Sequence, residues 1–169
     1  MIVIKTNTIT KGGMIIALTF ISFTIFKGVT NILNAFFIPF IIFTFLKNNE
    51  YKEILSVYFA LIISTLILYR IQIFFIIGYC IIALSIHIQN KNNFSKKKAI
   101  IFNTFIISLI FWGGIIITDI VFSTNINQIM LRITKHNVLK YTAVLIFEGL
   151  LVSLILNFSI RKISNKNIK

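Results

Sequence analysis

The chain has 169 residues, of which 57% are hydrophobic and only 12% are charged, and its formal net charge is +13. Soluble domains are roughly half apolar and about a quarter charged, so this composition excludes an ordinary water-soluble domain. At this length the chain forms one domain, 1–169, with no room for a second. One proline and seven glycines also exclude a Pro/Gly-rich disordered chain.

The basic residues lie mostly at the ends of apolar runs. In a soluble protein this charge would indicate nucleic-acid binding, but at such places Lys and Arg set membrane topology and meet anionic headgroups. We therefore predict a multi-pass protein of the cell membrane, with the lipid bilayer as its partner and no nucleic acid. Because Lys27 follows the first apolar run with no small-residue cleavage site, that run is predicted to be a span and not a signal peptide.

Six apolar runs are candidates for membrane spans, each of which needs roughly 17 to 25 apolar residues. They are Gly12–Phe26, Val29–Leu46, Ile54–Tyr69, Ile71–Ile88, Ala99–Phe122 and Leu139–Ile160. One helix over Ile54–Ile88 would extend about 50 Å, which is too long for ordinary tilt. We therefore predict a tight turn around Tyr69–Gln72, and a five-span bundle with one re-entrant segment is the alternative.

Alternate loops differ in their content of Lys and Arg. The ends and one set of loops carry Lys5, Lys11, Lys47, Lys52, Lys91, Lys96, Lys97, Lys98, Arg161, Lys162, Lys166 and Lys169. The other set carries Lys27, Arg70, Arg132, Lys135 and Lys140. Because cytoplasmic loops are the more basic ones, this distribution predicts an all-α bundle of about six transmembrane helices with both termini in the cytoplasm.

The loop Ser123–Val138, between spans five and six, has a helical pattern of its own. Its apolar residues recur with the spacing i, i+3, i+4, i+7, namely Ile126, Ile129, Met130 and Ile133. This spacing predicts a short amphipathic helix on the external side, and a solvated loop is the alternative. At the start of span five, Ser95 is the predicted N-cap.

The four acidic residues fall into two pairs. Glu50 and Glu53 lie beside Lys47 and Lys52 in a predicted cytoplasmic turn, where solvated ion pairing is expected. Asp119 and Glu148 lie inside apolar runs. Because a carboxylate in hydrocarbon is costly, both should face the bundle interior, a partner or a cavity.

The outer half of the bundle is the predicted ligand-binding region. The candidate substrate-binding residues are Glu148, Asp119, Trp112, Tyr141 and Asn34. Carboxylates with aromatic walls are suited to a cationic or hydrogen-bonding small molecule. The structural alternative is that the acids pair with nearby basic residues, or that a protonated Glu148 is hydrogen-bonded across helices.

Small residues occur at two places. Gly13 and Ala17, with Gly12 beside them, form a small-xxx-small pair that predicts close helix packing, within the bundle or against another subunit. Gly113–Gly114 predicts close packing, a kink or a substrate-facing break in span five, and Pro39 predicts a kink in span two.

Cys80 and His87 share a face of span four. A thiol and an imidazole resemble the catalytic pair of membrane cysteine proteases of the AgrB peptide-processing family. Seven residues separate them by ~10 Å along a helix, and that family places its His before its Cys, so this protease is the third hypothesis. Since the sequence has no Walker A, paired metal-ligand or Gly-x-Ser-x-Gly motif, we predict no metal, no cofactor and no enzymatic activity.

The six short spans, the basic lead Lys5–Lys11 into Gly13 and Ala17, and the Pro39 segment closing at Lys47 resemble the S-component fold of energy-coupling factor (ECF) vitamin transporters. In that family, an Ala-x-x-x-Ala pattern on the first helix docks onto a transmembrane coupling subunit. The resemblance implies that Gly13 and Ala17, with Gly in place of the first Ala, dock such a subunit.

S components bind their substrates in the outer half, towards which Asp119, Glu148 and Trp112 are predicted to point. The resemblance thus implies a subunit that captures a small organic nutrient, such as a vitamin, for uptake with separate coupling and ATPase subunits. The segments Asn34–Leu46 and Ile76–Ala83 look similar to the MreD family of rod-shape proteins, which implies the alternative of a non-transporting scaffold for cell-wall and cell-shape proteins.

Overall fold

The structure, a computed structural model, describes residues 6–26 and 32–166, with side chains as far as Ile163. The described residues form seven α-helices and one turn of 3₁₀ helix at Arg70–Gln72. The α-helices are α1 (Thr6–Ile25), α2 (Ile32–Leu46), α3 (Tyr51–Leu68), α4 (Ile73–Lys91), α5 (Lys96–Phe122), α6 (Ile126–Ile133) and α7 (Val138–Lys166). The prediction of an all-α architecture is confirmed.

Five of the described helices, α1, α3, α4, α5 and α7, are long and apolar enough to cross a membrane. Helix α2 is apolar but has 15 residues, which at 1.5 Å per residue corresponds to roughly 22 Å. The first three residues of the predicted second span, 29–31, lie outside the described residues.

The predicted break between α3 and α4 is confirmed. Tyr69 leaves the helical conformation, with φ −136° and ψ 57°. Its hydroxyl lies 3.0 Å from the hydroxyl of Thr24, and its ring lies 5.3 Å from the rings of both Phe20 and Phe23. Contacts with α1 therefore hold this turn without Gly or Pro.

At the opposite end of the bundle, Asn49 joins α1 to the start of α3. Its Oδ1 accepts a hydrogen bond from Lys11 Nζ at 2.9 Å, and its Nδ2 donates to Thr8 Oγ1 at 3.2 Å and to Glu53 Oε2 at 2.8 Å. Glu53 Oε2 also accepts from the backbone N–H of Glu50 at 3.3 Å, so this carboxylate caps α3. The start of α1 thus lies beside the start of α3, and Thr24 near the end of α1 lies beside Tyr69 at the end of α3. The two helices therefore run in the same direction.

The same end of the bundle also holds the α4–α5 loop and the end of α7. The ring of His87 on α4 lies 5.4 Å from that of Tyr51 at the start of α3, and Arg161 Nη2 donates to the carbonyl of Phe94 at 3.2 Å. The amino end of α1 and the carboxyl end of α7 therefore lie at one end of the bundle. We call this the basic end, because it also gathers Lys11, Lys47, Lys91, Lys96, Lys97, Lys98, Arg161 and Lys162.

Helix α5 packs most extensively against α7, and α4 packs against α5 and α2. At the α5–α7 contact, a Cβ on Gly149 would lie 2.5 Å from Ser108 Oγ and 3.0 Å from the carbonyl oxygen of Thr104. Ser108 and Ser153 donate across this interface to the carbonyls of Leu145 and Ile100, at 3.3 and 2.9 Å. Small residues thus allow the two longest helices to approach closely.

Gly113–Gly114 does not break α5, which is helical throughout, so the predicted alternative of a substrate-facing break there is wrong. A Cβ on Gly114 would lie 2.9 Å from the Phe75 ring of α4, whereas a Cβ on Gly113 would meet nothing within 4 Å. Close packing is therefore the role of Gly114. Pro39 is buried within α2.

The predicted short helix between spans five and six is confirmed as α6. Ile126 and Met130 pack against the core, while Ile129 and Ile133 are 54% and 71% exposed. Helix α6 thus contacts the bundle with only part of its apolar face. As predicted, α5 begins after Ser95, whose hydroxyl accepts from the Lys98 N–H at 3.4 Å.

The outside of the bundle is apolar. Large side chains that are more than two-thirds exposed occur on α3, α5 and α7, for example Ile67, Ile120 and Leu139. Soluble monomers rarely expose so much apolar surface. A surface of this kind is favourable in contact with hydrocarbon, so the described bundle has the exterior of a multi-pass membrane protein.

We predict that Gly149→Ala destabilises the bundle by about 1–3 kcal/mol, because the added methyl group would overlap Ser108 and the Thr104 carbonyl. Gly113→Ala is the matched control, since its methyl group would enter open space. Thermal unfolding of the detergent-purified variants measures the difference. Equal melting temperatures for the two variants would contradict the close approach of α5 and α7.

Candidate functional site

Asp119, one of the two acids within apolar runs, acts as a cap for α6. Its Oδ1 accepts hydrogen bonds from the Thr124 hydroxyl and, at 2.9 Å, from the Ile126 N–H. Its Oδ2 accepts from the Asn127 N–H at 2.7 Å. The first N–H groups of a helix have no partner within it, and the positive end of its dipole favours a carboxylate. These bonds give Asp119 a structural role that was not among the predicted ones.

Tyr141 lies in the first turn of α7, and its side chain is 4% exposed. Within the described ranges, no hydrogen-bonding partner reaches its hydroxyl. The phenol lies within electrostatic range of both Asp119 and Glu148. The structure therefore brings together three of the five predicted substrate-binding residues.

Glu148 lies two turns after Tyr141, on the same side of α7 and ~10 Å further along the helix. Its side chain is half-buried at the edge of the buried stripe that contains Leu145 and Val152. Among the described side chains, none forms an ion pair or a hydrogen bond with Glu148. The Glu148 carboxylate and the Tyr141 hydroxyl are thus two polar groups on one side of α7 that have no hydrogen-bonding partner among the described residues.

The other two predicted substrate-binding residues have different surroundings. Trp112 is 51% exposed on α5, so much of its indole ring faces the surroundings of the bundle. Asn34 is buried on α2, where its Oδ1 accepts a hydrogen bond from Ser22 Oγ at 2.7 Å. This bond joins α2 to α1.

The predicted small-residue pair lies on the outside of the bundle. Gly13 and Ala17 are exposed, and a Cβ on Gly13 would meet nothing within 4 Å. The neighbouring Gly12 is the residue that packs inward, where a Cβ would lie 3.4 Å from Val57 of α3. The face of Gly13 and Ala17 is therefore open to a second protein or to lipid.

Cys80 and His87 have separate environments. Cys80 is buried in the hydrophobic core. The His87 ring lies 5.4 Å from the ring of Tyr51 and 6.5 Å from that of Phe43. These neighbours are aromatic, and neither of them activates a thiol.

Two polar cavities lie at the basic end, where no site was predicted. One has a volume of about 450 Å³ and lies between α4, α5 and α7, and the other has about 430 Å³ and lies between the α2–α3 turn and α4. Their linings are rich in amide side chains, including Asn90, Asn103 and Asn157. Uncharged amides within or beside apolar runs are the sequence pattern that could have indicated these cavities. The predictions from the sequence considered mainly charged and aromatic residues.

No protein-family model, curated protein or solved structure matches this chain. The resemblance to S components and to MreD proteins therefore stays a prediction from the sequence.

We predict that Asp119→Ala loosens α6, because three donors at its amino end lose their acceptor. Loss of an N-cap costs about 1 kcal/mol, so hydrogen exchange of the Ile126–Ile133 amides should become several-fold faster. Asp119→Asn, which keeps one carbonyl acceptor, should have a smaller effect. Unchanged α6 exchange in Asp119→Ala would contradict the capping role.

Proposed function

We propose that this chain is a substrate-binding membrane subunit that captures a small organic nutrient and works with separate coupling and ATPase subunits. It crosses the cell membrane six times, with α2 as the shortest span and both termini in the cytoplasm. The common location of the start of α1 and the end of α7 at the basic end supports this topology. Tyr141 and Glu148 then lie in the outer half of the bundle.

The observation that carries the proposal is the buried, unpartnered Tyr141 hydroxyl, which lies on the same side of α7 as the half-buried Glu148 and within its electrostatic range. A buried hydroxyl without a partner costs about 1–3 kcal/mol, and an isolated carboxylate in hydrocarbon costs more. A ligand that donates a hydrogen bond to Glu148 and accepts one from Tyr141 removes both costs. The ligand class is therefore a small organic molecule whose cationic or hydrogen-bond-donating group is separated from an acceptor by roughly two helical turns, ~10 Å.

The exposed face of Gly13 and Ala17 supports the second half of the proposal, a partner within the membrane. Small residues allow the backbone of another helix to approach closely, which strengthens van der Waals packing where no hydrophobic effect drives association. This position matches the docking pattern on the first helix of the S components. The same face suits a scaffold of the MreD kind, which is the second candidate function.

The test is native mass spectrometry of the protein released gently from its own membranes, which detects a small ligand and protein partners together. Glu148→Gln and Tyr141→Phe should each lower the ligand-bound fraction by about tenfold, since each loses a hydrogen bond to a charged or polar group. Tyr141→Phe should raise the melting temperature of the ligand-free protein, because it removes a buried hydroxyl that has no partner. Glu50→Gln, which removes the same charge at the basic end, is the matched control.

A wild-type protein that carries no small molecule and retains no coupling or ATPase subunit would contradict the proposal. Retention of cell-wall elongation proteins in place of those subunits would favour the scaffold. A drop in melting temperature of Glu148→Gln that equals its loss of ligand would assign this residue a structural role.

A further inference from the structure

The larger of the two cavities at the basic end has a lining that suits an anion. It has a volume of about 450 Å³, and no Asp or Glu is among its lining residues. Its polar lining consists of five amide side chains, the Ser95 hydroxyl and one guanidinium. The residues that carry the inference are Gln89, Asn103, Asn157 and Arg161.

Buried amides on α4 and α5 form the inner wall of the cavity. Gln89 Nε2 donates to Asn103 Oδ1 at 2.6 Å and to Ser85 Oγ at 2.8 Å, and Asn103 Nδ2 donates to Gln89 Oε1 at 3.2 Å. Gln89 is 6% exposed and Asn103 is 2% exposed. A mutually bonded pair of this kind holds both amides in fixed orientations.

This network leaves hydrogen-bond donors unused. Each amide nitrogen carries two protons, and Asn103 Nδ2 uses one of them on Gln89. Asn157, 8% exposed on α7, uses one of its two on the Ser153 carbonyl at 3.2 Å. Among the described residues, therefore, Asn103 and Asn157 each keep one proton for a ligand.

Arg161 adds a positive charge at the mouth of the cavity. Its guanidinium has five N–H groups, of which one donates to the Phe94 carbonyl at 3.2 Å. That bond fixes the side chain next to the cavity and leaves further donors in the planar fork that matches phosphate oxygens. Lys96 and Lys97 begin α5 beside it, where the helix dipole adds to the positive potential.

We propose that this cavity binds the phosphate group of an anionic ligand. Arg161 donates to two non-bridging phosphate oxygens, and the free amide protons of Asn103 and Asn157 donate to oxygens of the same phosphate group. The ligand enters from the side of the basic end, which under the topology above is the cytoplasmic side. Two sources supply this chemistry there, the headgroup of an anionic phospholipid and a soluble phosphate ester.

The experiment is native mass spectrometry of the full chain in a neutral detergent, titrated with phosphatidylglycerol. Diacylglycerol with the same acyl chains is the control lipid, because it lacks the phosphate. We expect phosphatidylglycerol to be retained preferentially and Arg161→Gln to reduce its retention by about tenfold, as for the loss of a charge-assisted hydrogen bond. Lys162→Gln removes the same charge one residue further on, outside the cavity lining, and should change retention less than about twofold.

Competition with glycerol 3-phosphate distinguishes the two sources. Displacement of the lipid by glycerol 3-phosphate would identify a site open to soluble phosphate esters, and retention of the lipid would identify a headgroup site. Equal retention of phosphatidylglycerol and diacylglycerol would overturn the proposal, as would equal effects of Arg161→Gln and Lys162→Gln. Asn157→Ala is a second variant within the cavity, and it should also lower the retention of phosphatidylglycerol.

Discussion

The inability of hydrocarbon to form hydrogen bonds is the constraint on which this structure depends. In such a solvent every backbone group must be satisfied within the protein, and an α-helix achieves this within a single segment. Several side-chain hydroxyls follow the same rule, because those of Thr44, Thr65 and Thr104 donate to the carbonyl four residues earlier in their own helix. Apolar side chains, in contrast, carry no cost on the outside of the bundle.

Because of this constraint, a polar side chain inside the bundle needs a partner, and the kind of partner indicates its role. Asp119 is accounted for by the cap on α6, and Asn34 by its bond to Ser22. Buried polar atoms without a partner among the described residues are found on Thr19, Gln72, Thr118 and Tyr141. Of these, Tyr141 lies within electrostatic range of the Glu148 carboxylate, so this pair carries the proposed ligand site. The amides at the basic end have partners and still keep free donors, which favours an anion there.

The presence of the helices could be predicted well from the sequence, but some ends could not, because polar residues extend α1 back to Thr6 and α7 on to Lys166, beyond the apolar runs. Long apolar runs, the Ser95 cap and the spacing of Ile126 and Met130 are local signals, and each corresponds to a feature of the structure. The turn at Tyr69 could be placed by length alone. Its physical cause, the packing of the Tyr69 ring against α1, is a contact between distant residues that no local pattern encodes.

The buried faces could not be predicted, because apolar residues cover all sides of the long helices and the sequence therefore marks no inner stripe. Gly12 and Gly13 are adjacent, yet only Gly12 packs inward. For the same reason, the sequence could not predict that Trp112 is exposed or that Gln89 is hydrogen-bonded to Asn103. The candidate ligand site was predictable in part, since acids within apolar runs are exceptional, but the capping role of Asp119 was not.

The most direct test of a bundle that spans the membrane with its basic end in the cytoplasm is cysteine labelling in intact cells. The natural Cys80 is buried, so a membrane-impermeant thiol reagent should report mainly on introduced cysteines. Lys135→Cys, in the loop after α6, should react from outside, whereas Lys162→Cys, near the end of α7, should react only after the membrane is permeabilised. Equal labelling of the two positions in intact cells would contradict the account.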